Sequence, residues 1–330
     1  MDIIAFRLPG EPDFHIYEAR KKDNIDFNPS EISFIIAPFF PADKGVEYRL
    51  TTSLDSIPSE IISDNYQSFP FEEFSKSQYA EYIEEIKKNI SGRTDYKIVA
   101  SRRSKLPSLV NADRLFKRLC EVYPDAFVFF ISTSEFGSWI GASPELLLKR
   151  KGNILESMAL AGTRKRGETG DWDIKNSLEQ QIVTDLIQSV FNKYCSESKR
   201  KERITVKAGN IEHLMTPIAG HCDKDIDLLS LLFDLSPTPA LAGFPRVDAL
   251  KVIQHFEGDR VLYGGFLGPV YPEGDFRLNV ILRCAYLQPD SVVLFAGGGI
   301  TSLSNPSSEW DETENKMATL KNVMFFDDDK

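Results

Sequence analysis

The chain has 330 residues, of which 42% are hydrophobic and 27% are charged, and its formal net charge is -10. This composition is typical of an ordinary globular protein, and the acidic balance excludes the basic face that a nucleic-acid-binding protein needs. No apolar run of about 18 residues is present to span a membrane, and the N-terminus lacks the pattern of a secretory signal, so we expect a cytoplasmic protein.

The first half of the chain mixes predicted strands and helices. The apolar stretch SFIIAPFF, residues 33–40, predicts a strand. Residues 75–90 predict a helix, because aromatic and aliphatic residues recur there at helical spacing behind a serine. The pattern further predicts a strand at 96–102, a helix at 111–123, and strands at 127–133 and 138–150.

The second half begins with a polar, glycine-rich loop at 160–171 and a long amphipathic helix at 174–195. Two shorter helices are predicted at 225–235 and 245–256, followed by successive strands up to residue 300. The short turns PEGD and QPD predict antiparallel hairpins among these strands, and a C-terminal helix follows. Strand clusters joined by hairpins, with long helices between them, predict an α+β fold. No repeat or linker divides the chain, so we expect one domain over residues 1–330.

The C-terminal helix, SSEWDETENKMATL, places three charged residues at helical spacing. Glu309, Glu312 and Lys316 are three and four residues apart and lie within about 60° on one helical face. One interpretation is a solvated face stabilised by charge pairing between neighbouring turns. The other is a functional site in which the carboxylates hold a metal ion and the ammonium holds an anion.

Two ionisable residues occur in predicted strands. Glu145 lies in WIGASPELLLKR, where it is either a solvent-facing residue of a half-exposed strand or a functional acid whose pKa is raised by burial. Lys97 lies in DYKIVASR, and a lone lysine in that position is more often an exposed strand residue. Neither residue is decisive on its own.

Other candidates are equally open when taken singly. Arg283, in NVILRCAYL, is embedded among apolar strand residues, where a buried arginine requires a carboxylate partner. Glu179, in the long helix, is by spacing alone a surface residue. The segment AGGGI, residues 296–300, is either a tight turn or a close backbone approach to a ligand.

Histidine and cysteine spacings do not favour a transition-metal site. His213 and His221 are eight residues apart, which fits no standard zinc pattern. The four cysteines form no C-x-x-C pair, so reduced thiols are expected: Cys120, Cys195, Cys222 and Cys284.

The order of the motifs is more specific than any one of them. They occur in the order seen in chorismate-utilising enzymes: ASPELLLKR, LAGTRKRG, SLEQQIVTDLI, HLMTPIAG, SPTPALAGFP, LYGGFLG, LRCAYL, LFAGGGI and SSEWDETENKMATL. The sequence resembles isochorismate synthases from about residue 90 to residue 322, and the first ~90 residues match weakly. The resemblance implies an α+β fold with two large antiparallel sheets facing each other, helices outside, and a site in a cleft between the halves.

The resemblance also implies the site residues. Mg²⁺ would be held by Glu179 and Glu312, with Glu309 as a supporting carboxylate, and this donor set suits Mg²⁺. The implied contacts to the two carboxylates of chorismate are Lys316, Arg283, Gly297, Gly298 and Gly299. Gly162 and Thr163 would line the ring, and His213 would lie near the metal end.

The reaction of such an enzyme adds water at one ring carbon and expels hydroxide from another. The resemblance makes Lys97 the base that activates water and Glu145 the acid that protonates the departing hydroxyl. Free Lys near 10.4 and free Glu near 4.3 are poorly matched to these roles at neutral pH, so both must be tuned. Amine-transferring relatives carry glutamine at the Lys97 position, and relatives with a covalent step carry a lysine at the position of Ala161.

These positions favour an isochorismate synthase, an isomerase acting on chorismate with Mg²⁺. The alternatives are a salicylate synthase, an anthranilate or aminodeoxychorismate synthase relative, and a non-catalytic chorismate-binding protein. We expect a monomer, with a weak homodimer as the alternative, and no nucleic-acid or membrane partner. Use of the product in menaquinone or in siderophore biosynthesis stays open.

Overall fold

The computed structural model describes residues 1–40, 45–93, 96–107, 109–208, 211–223 and 226–324. The helices in this part of the chain are α1 (Ile61–Asp64), α2 (Lys76–Asn89), α3 (Ala112–Val122), α4 (Ile174–Tyr194), α5 (Leu228–Leu235), α6 (Arg246–Glu257) and α7 (Pro306–Met324). The strands are β1 (Asp2–Arg7), β2 (His15–Lys21), β3 (Ser33–Ala37), β4 (Val46–Ser53), β5 (Lys97–Pro107), β6 (Phe127–Thr133), β7 (Gly137–Ser143), β8 (Leu146–Lys151), β9 (Ile154–Lys165), β10 (Glu197–Arg200), β11 (Ile204–Ala208), β12 (Ile211–His221), β13 (Gly243–Phe244), β14 (Phe266–Val270), β15 (Phe276–Val280), β16 (Cys284–Leu287) and β17 (Ser291–Ile300).

The strands pair antiparallel in one continuous strip. Its order is β13-β5-β17-β16-β7-β6-β1-β2-β4-β3-β14-β15-β8-β9-β12, with β10 and β11 one after the other along the outer edge of β12. The strip folds back on itself, because residues of β5 and β17 and residues of β9 and β12 line the same cavity. The expected α+β class is confirmed, and the two facing halves are joined through β1, β2 and β4 into one sheet system.

Local capping explains where several helices begin. Ser75 Oγ accepts a hydrogen bond from the backbone N–H of Gln78, and Gln78 Oε1 accepts one from the backbone N–H of Ser75. α2 therefore has a complete capping box. Asn111, Asp173 and Asp227 cap α3, α4 and α5 in the same way, each accepting from a backbone N–H three residues later. The predicted helices and hairpins in these regions are confirmed, since β14 pairs with β15 and β16 with β17.

The helices cover the strip and bury its apolar faces. α4 packs on β9 and β12, α7 packs on β17, and α6 packs on β5. Three hydrophobic clusters result, and the one under α2, α4, α5 and α6 contains most of their buried residues. This packing fixes α4 and α7 on either side of the cavity end formed by β5 and β17. No helix in the described part of the chain is long and apolar enough to cross a membrane.

Two predicted strands are interrupted, and both breaks carry site residues. The strand predicted at 138–150 divides into β7 and β8, and Glu145 lies in the break after Pro144, which has no N–H to continue a ladder. Arg283 lies between β15 and β16, not within a strand, and its φ of 49° is in the left-handed region that non-glycine residues rarely adopt. Such strained backbone is commonest at functional sites.

Candidate active site

A cavity lies where the two ends of the strip face each other. It encloses about 80 Å³, several times the space that one water molecule needs. Most of the predicted site residues line it: Lys97, Glu145, Gly162, Thr163, Glu179, His213, Arg283, Gly297, Gly299, Glu312 and Lys316. Gly298 lies between the lining residues Gly297 and Gly299, and Glu309 is linked to the lining residue Glu179 through Lys175, which pairs with both glutamates. Residues that are far apart in sequence therefore converge on one pocket.

Lys97 and Glu179 form a buried ion pair. The two side chains are 2% and 6% exposed, and Lys97 Nζ is 3.3 Å from Glu179 Oε2. Lys97 is the first residue of β5, and Glu179 lies in the second turn of α4. The interpretations of Lys97 as an exposed strand residue and of Glu179 as a surface residue are therefore both wrong.

The start of α4 is tied to the end of β9, which positions Glu179. Asn176 Oδ1 accepts from the backbone N–H of Thr163 at 2.8 Å. The backbone N–H of Asn176 donates to Asp173 Oδ1 at 2.7 Å. Gly162, immediately before Thr163, has a φ of 75°, a conformation that glycine adopts without strain.

The glycines of β17 leave room for charged side chains. A Cβ on Gly299 would lie 2.4 Å from Lys97 Cε and 2.5 Å from Glu179 Oε2. A Cβ on Gly298 would lie 2.8 Å from Glu309 Oε2. All three distances are shorter than real Cβ contacts, so any larger residue at either glycine would displace these groups. AGGGI is thus part of a paired strand that charged groups approach closely, and not a turn.

The carboxylates of α4 and α7 contact ammonium groups. Glu312 Oε1 is 2.6 Å from Lys316 Nζ, and this lysine also donates to the carbonyl of Gly297 at 2.7 Å. Glu309 Oε1 accepts from Lys175 Nζ at 2.7 Å, and Glu309 is only 2% exposed. The solvated-face interpretation of the C-terminal helix is therefore wrong, because all three charged residues point toward the cavity end.

Burial and neighbouring charges move the pKa values of this cluster in opposite directions. Burial raises the pKa of Glu309 above its usual value. Burial would also raise the pKa of Glu312, but Lys316 and Lys175 outweigh it and hold that pKa at about 2. Glu312 is consequently a carboxylate at every physiological pH, as a metal ligand must be.

The carboxylates of Glu179, Glu309 and Glu312 are of the ligand type that suits Mg²⁺. Glu179 Oε1 and Glu309 Oε2 are buried and accept no hydrogen bond from the described residues. Glu179 Oε1 does lie 3.2 Å from Lys175 Nζ as an ion pair. Carboxylate oxygens are the ligands that Mg²⁺ prefers. Among the residues described, however, no three His, Cys, Asp or Glu side chains are close enough together to hold a metal. Ammonium groups lie against the carboxylates instead.

Glu145 is a buried carboxyl group that also lines the cavity. It is 3% exposed, and burial raises its pKa to about 8 although Lys97 and Lys316 act to lower it. At neutral pH the group therefore holds its proton, as a general acid requires. The backbone carbonyl of Glu145 accepts from Val280 N and Asn279 Nδ2, which anchors the break between β7 and β8.

Arg283 and His213 form a second polar pair in the cavity. Arg283 Nη2 is 3.0 Å from His213 Nε2, and His213 Nδ1 is 2.8 Å from the carbonyl of Gly162. These partners assign the proton to Nδ1, and burial together with the charge of Arg283 lowers the pKa of His213 to about 3. His213 is thus a neutral hydrogen-bond acceptor for the guanidinium.

Arg283 lacks the carboxylate partner expected from sequence. Its other hydrogen bond goes to Thr319 Oγ1 at 2.8 Å, and none of the described carboxylates pairs with it. Burial lowers its pKa to about 10, which leaves the guanidinium charged at neutral pH. A buried cation without a counter-ion is well prepared to bind an anionic ligand.

A larger cavity adjoins this one. It encloses about 560 Å³ and shares Pro144 and Arg283 with the first. Its lining includes the basic residues Arg166 and Lys207, both exposed. These basic residues concentrate positive charge at the larger cavity, on a protein whose net charge is -10.

Sequence reasoning missed Lys175, which contacts two of the predicted metal ligands. It lies four residues before Glu179 on the same helix. The i,i+4 spacing that singled out Glu312 and Lys316 would also have found this pair. Ala161 was noted only for its lack of a nucleophile, and it does line the cavity.

Comparisons with known proteins identify the family of this chain. The family model of chorismate binding enzymes matches residues 42–322. The chain is 32% identical over 307 residues to isochorismate synthase EntC of Escherichia coli strain K12, covering 81% of this chain and 78% of that protein. It is also 32% identical over 263 residues to isochorismate synthase MenF of Bacillus subtilis strain 168, covering 76% of this chain and 56% of the relative.

Solved structures share the fold. DhbC of Bacillus anthracis, described as a 2,3-dihydroxybenzoate-specific isochorismate synthase, aligns with a TM-score of 0.79 and 23% identity over 97% of this chain and 95% of its own. MenF of Escherichia coli, the menaquinone-specific isochorismate synthase, aligns with a TM-score of 0.78 and 21% identity over 98% and 89%. With the family match over most of its length, this chain belongs to the family of chorismate binding enzymes.

Proposed function

We propose that this protein is an isochorismate synthase, an isomerase that converts chorismate into isochorismate. The observation that carries the proposal is a cavity with Lys97 at one position and a protonated Glu145 at another. Similarity to proteins named isochorismate synthase supports the same reaction. The reaction needs a base and an acid at separate ring positions, and these two residues supply them.

Chorismate is the proposed substrate, and its two carboxylates require separate cationic contacts. Arg283, which has no carboxylate partner among the described residues, is proposed to bind one of them through its guanidinium. Lys316, fixed by Glu312 and the carbonyl of Gly297, is proposed to contact the other. Arg166 and Lys207 are proposed to attract the dianion through the adjoining cavity.

The proposed chemistry conserves atoms and charge. The base is the neutral amine of Lys97, formed when the ammonium that pairs with Glu179 gives up a proton. This amine takes a proton from a water molecule, whose oxygen bonds to one ring carbon as the ring double bonds shift. The C–O bond at another ring carbon breaks, and Glu145 gives its proton to the departing hydroxyl, which leaves as water. The proton gained by Lys97 then passes through solvent to Glu145, so both groups return to their starting states. One water enters and one leaves, so the net change is an isomerisation that must run in both directions.

Mg²⁺ is the proposed cofactor, and Glu179, Glu312 and Glu309 are the residues that would hold it. When bound, it supplies a cationic contact for the ring carboxylate of chorismate and offsets the charge of the three glutamates. The buried Oε2 of Glu309, which accepts no hydrogen bond from the described residues, supports the assignment. The remaining substrate contacts are proposed to be Gly162, Thr163 and the backbone at Gly297, Gly298 and Gly299.

The alternatives differ in product. Ala161 has no nucleophile, which disfavours a covalent amine-transferring mechanism, and Lys97 replaces the glutamine of ammonia-using relatives. A salicylate synthase keeps the same acid and base and additionally releases pyruvate. The cytoplasmic location and the monomeric state stay predictions. All four cysteines are free, as expected for reduced thiols.

The decisive experiment is incubation of the purified protein with chorismate and Mg²⁺, followed by chromatographic separation of the products. We expect an equilibrating mixture of chorismate and isochorismate with no pyruvate, and we expect EDTA to stop its formation. The same mixture must form when isochorismate is the starting material. Stoichiometric salicylate and pyruvate would show the lyase-type activity instead, and unchanged chorismate would overturn the enzymatic assignment.

A further inference from the structure

We infer that Lys175 is an internal counter-ion that holds the carboxylate cluster together in the metal-free protein and competes with Mg²⁺ for it. The inference rests on the metal site of the proposed function. Lys175 Nζ contacts both Glu309 Oε1, at 2.7 Å, and Glu179 Oε1, at 3.2 Å. It thereby bridges two of the carboxylates that would hold the metal, one from α4 and one from α7.

The charge balance explains why a cation is needed there. Glu179, Glu309 and Glu312 bring three carboxylates into a region from which water is largely excluded. Lys97 contacts Glu179 at 3.3 Å and Lys316 contacts Glu312 at 2.6 Å, so Glu309 has no cationic partner other than Lys175 among the described residues. An uncompensated buried charge is strongly destabilising. The Lys175 ammonium completes the balance.

The helix dipole does not favour a lysine at the position of Lys175 in α4. Lys175 lies in the first turn of the helix, where the macrodipole is positive, and the helix has no acidic residue in that turn. The carboxylates therefore account for its placement.

The same geometry makes Lys175 and a divalent cation competitors. Glu179 Oε1 is one of the oxygens that the ammonium contacts, so a metal bound to that oxygen would displace the ammonium, and two cations repel each other at such distances. The Lys175 side chain is 18% exposed, and the residue lies shortly after an exposed loop at residues 166–171. It can therefore turn toward solvent when the metal enters.

The direction in which Lys175→Met changes Mg²⁺ affinity distinguishes a competing Lys175 from one that supports the metal site. The apparent affinity of a ligand equals its intrinsic affinity multiplied by the fraction of molecules whose site is open to bind it. If Lys175 closes the site in about nine molecules of ten, Lys175→Met should tighten Mg²⁺ binding by about tenfold. If Lys175 instead orients the ligands for the metal, the same substitution should weaken binding.

The experiment is calorimetric titration of the metal-free protein with Mg²⁺, without substrate, together with thermal melts in EDTA and in Mg²⁺. Lys175→Met should melt lower than wild type in EDTA, bind Mg²⁺ more tightly, and gain more stability from it. Lys175→Arg keeps the cation and should retain the metal-free stability without the gain in affinity. Lys193→Met is the matched control, since it removes a 62% exposed lysine from the same helix and should change neither quantity.

The outcomes separate the inference from the function on which it rests. If wild type binds no Mg²⁺, or if Glu312→Gln binds it as well as wild type, the metal assignment itself fails. If wild type binds Mg²⁺ and Lys175→Met binds it equally or more weakly, the counter-ion role is overturned. Should Lys175→Met unfold in EDTA, the same comparison is made by titrating the Mg²⁺-loaded variants with chelator and following the melting temperature.

Discussion

The buried Glu145 lowers stability as pH rises but supplies the catalytic proton, and Glu145→Gln separates these two effects. The unfolded chain ionises this group near its ordinary pKa of 4.5, whereas the folded protein keeps the proton up to about 8. Between these values the unfolded state binds fewer protons, so the free energy of unfolding falls as pH rises. At about 1.36 kcal/mol per pKa unit, the loss reaches about 5 kcal/mol by pH 8.

Glutamine keeps the shape and does not titrate. We expect Glu145→Gln to unfold much like wild type near pH 5 and to become progressively more stable than wild type toward about pH 8, with a gap of up to about 5 kcal/mol. The turnover number should fall by about 10²–10⁴-fold, because the proton donor is lost. Wild-type turnover should likewise decline above about pH 8, where Glu145 loses its proton.

The assay is urea unfolding followed by circular dichroism at several pH values, with kcat measured on the same preparations. Glu31→Gln makes the same chemical change at a 63% exposed side chain and should keep the pH dependence of wild type. A stability gap between Glu145→Gln and wild type that stays constant from about pH 5 to about pH 8 would refute a buried, protonated Glu145.

Three further substitutions test the other groups. Lys97→Gln should lower kcat by at least about 10²-fold with little change in chorismate affinity, and wild-type kcat would return Lys97 to a structural role. Arg283→Lys should raise KM strongly, because an ammonium cannot reproduce a bidentate grip on a carboxylate. A lower melting temperature with unchanged KM would instead make the contact with His213 purely structural. Gly299→Ala should reduce both kcat and stability, because its Cβ would lie 2.4 Å from Lys97 Cε and 2.5 Å from Glu179 Oε2, and a fully active, stable variant would contradict this packing.

Periodicity was sufficient to place six of the seven described helices, and it missed the short α1 (Ile61–Asp64). The predicted helix at 174–195 and the observed α4, Ile174–Tyr194, differ by one residue, because an amphipathic pattern and the Asp173 cap are local properties of the chain. The strand breaks were not predicted. Pro144 signalled the first, but the left-handed backbone of Arg283 depends on the surrounding structure, including the hydrogen bond from Ala142 N to the Arg283 carbonyl.

The order of its motifs was enough for the sequence by itself to determine the family, the α+β class and the identity of most cavity residues. Only the tertiary structure decided their chemical states. The pKa of Glu145 is raised because segments distant in sequence exclude water from it. Arg283 faces His213 rather than a carboxylate, and Lys175 bridges two carboxylates from different helices. Desolvation and Coulomb energies depend on distances in space, which the spacing of residues along a chain does not contain.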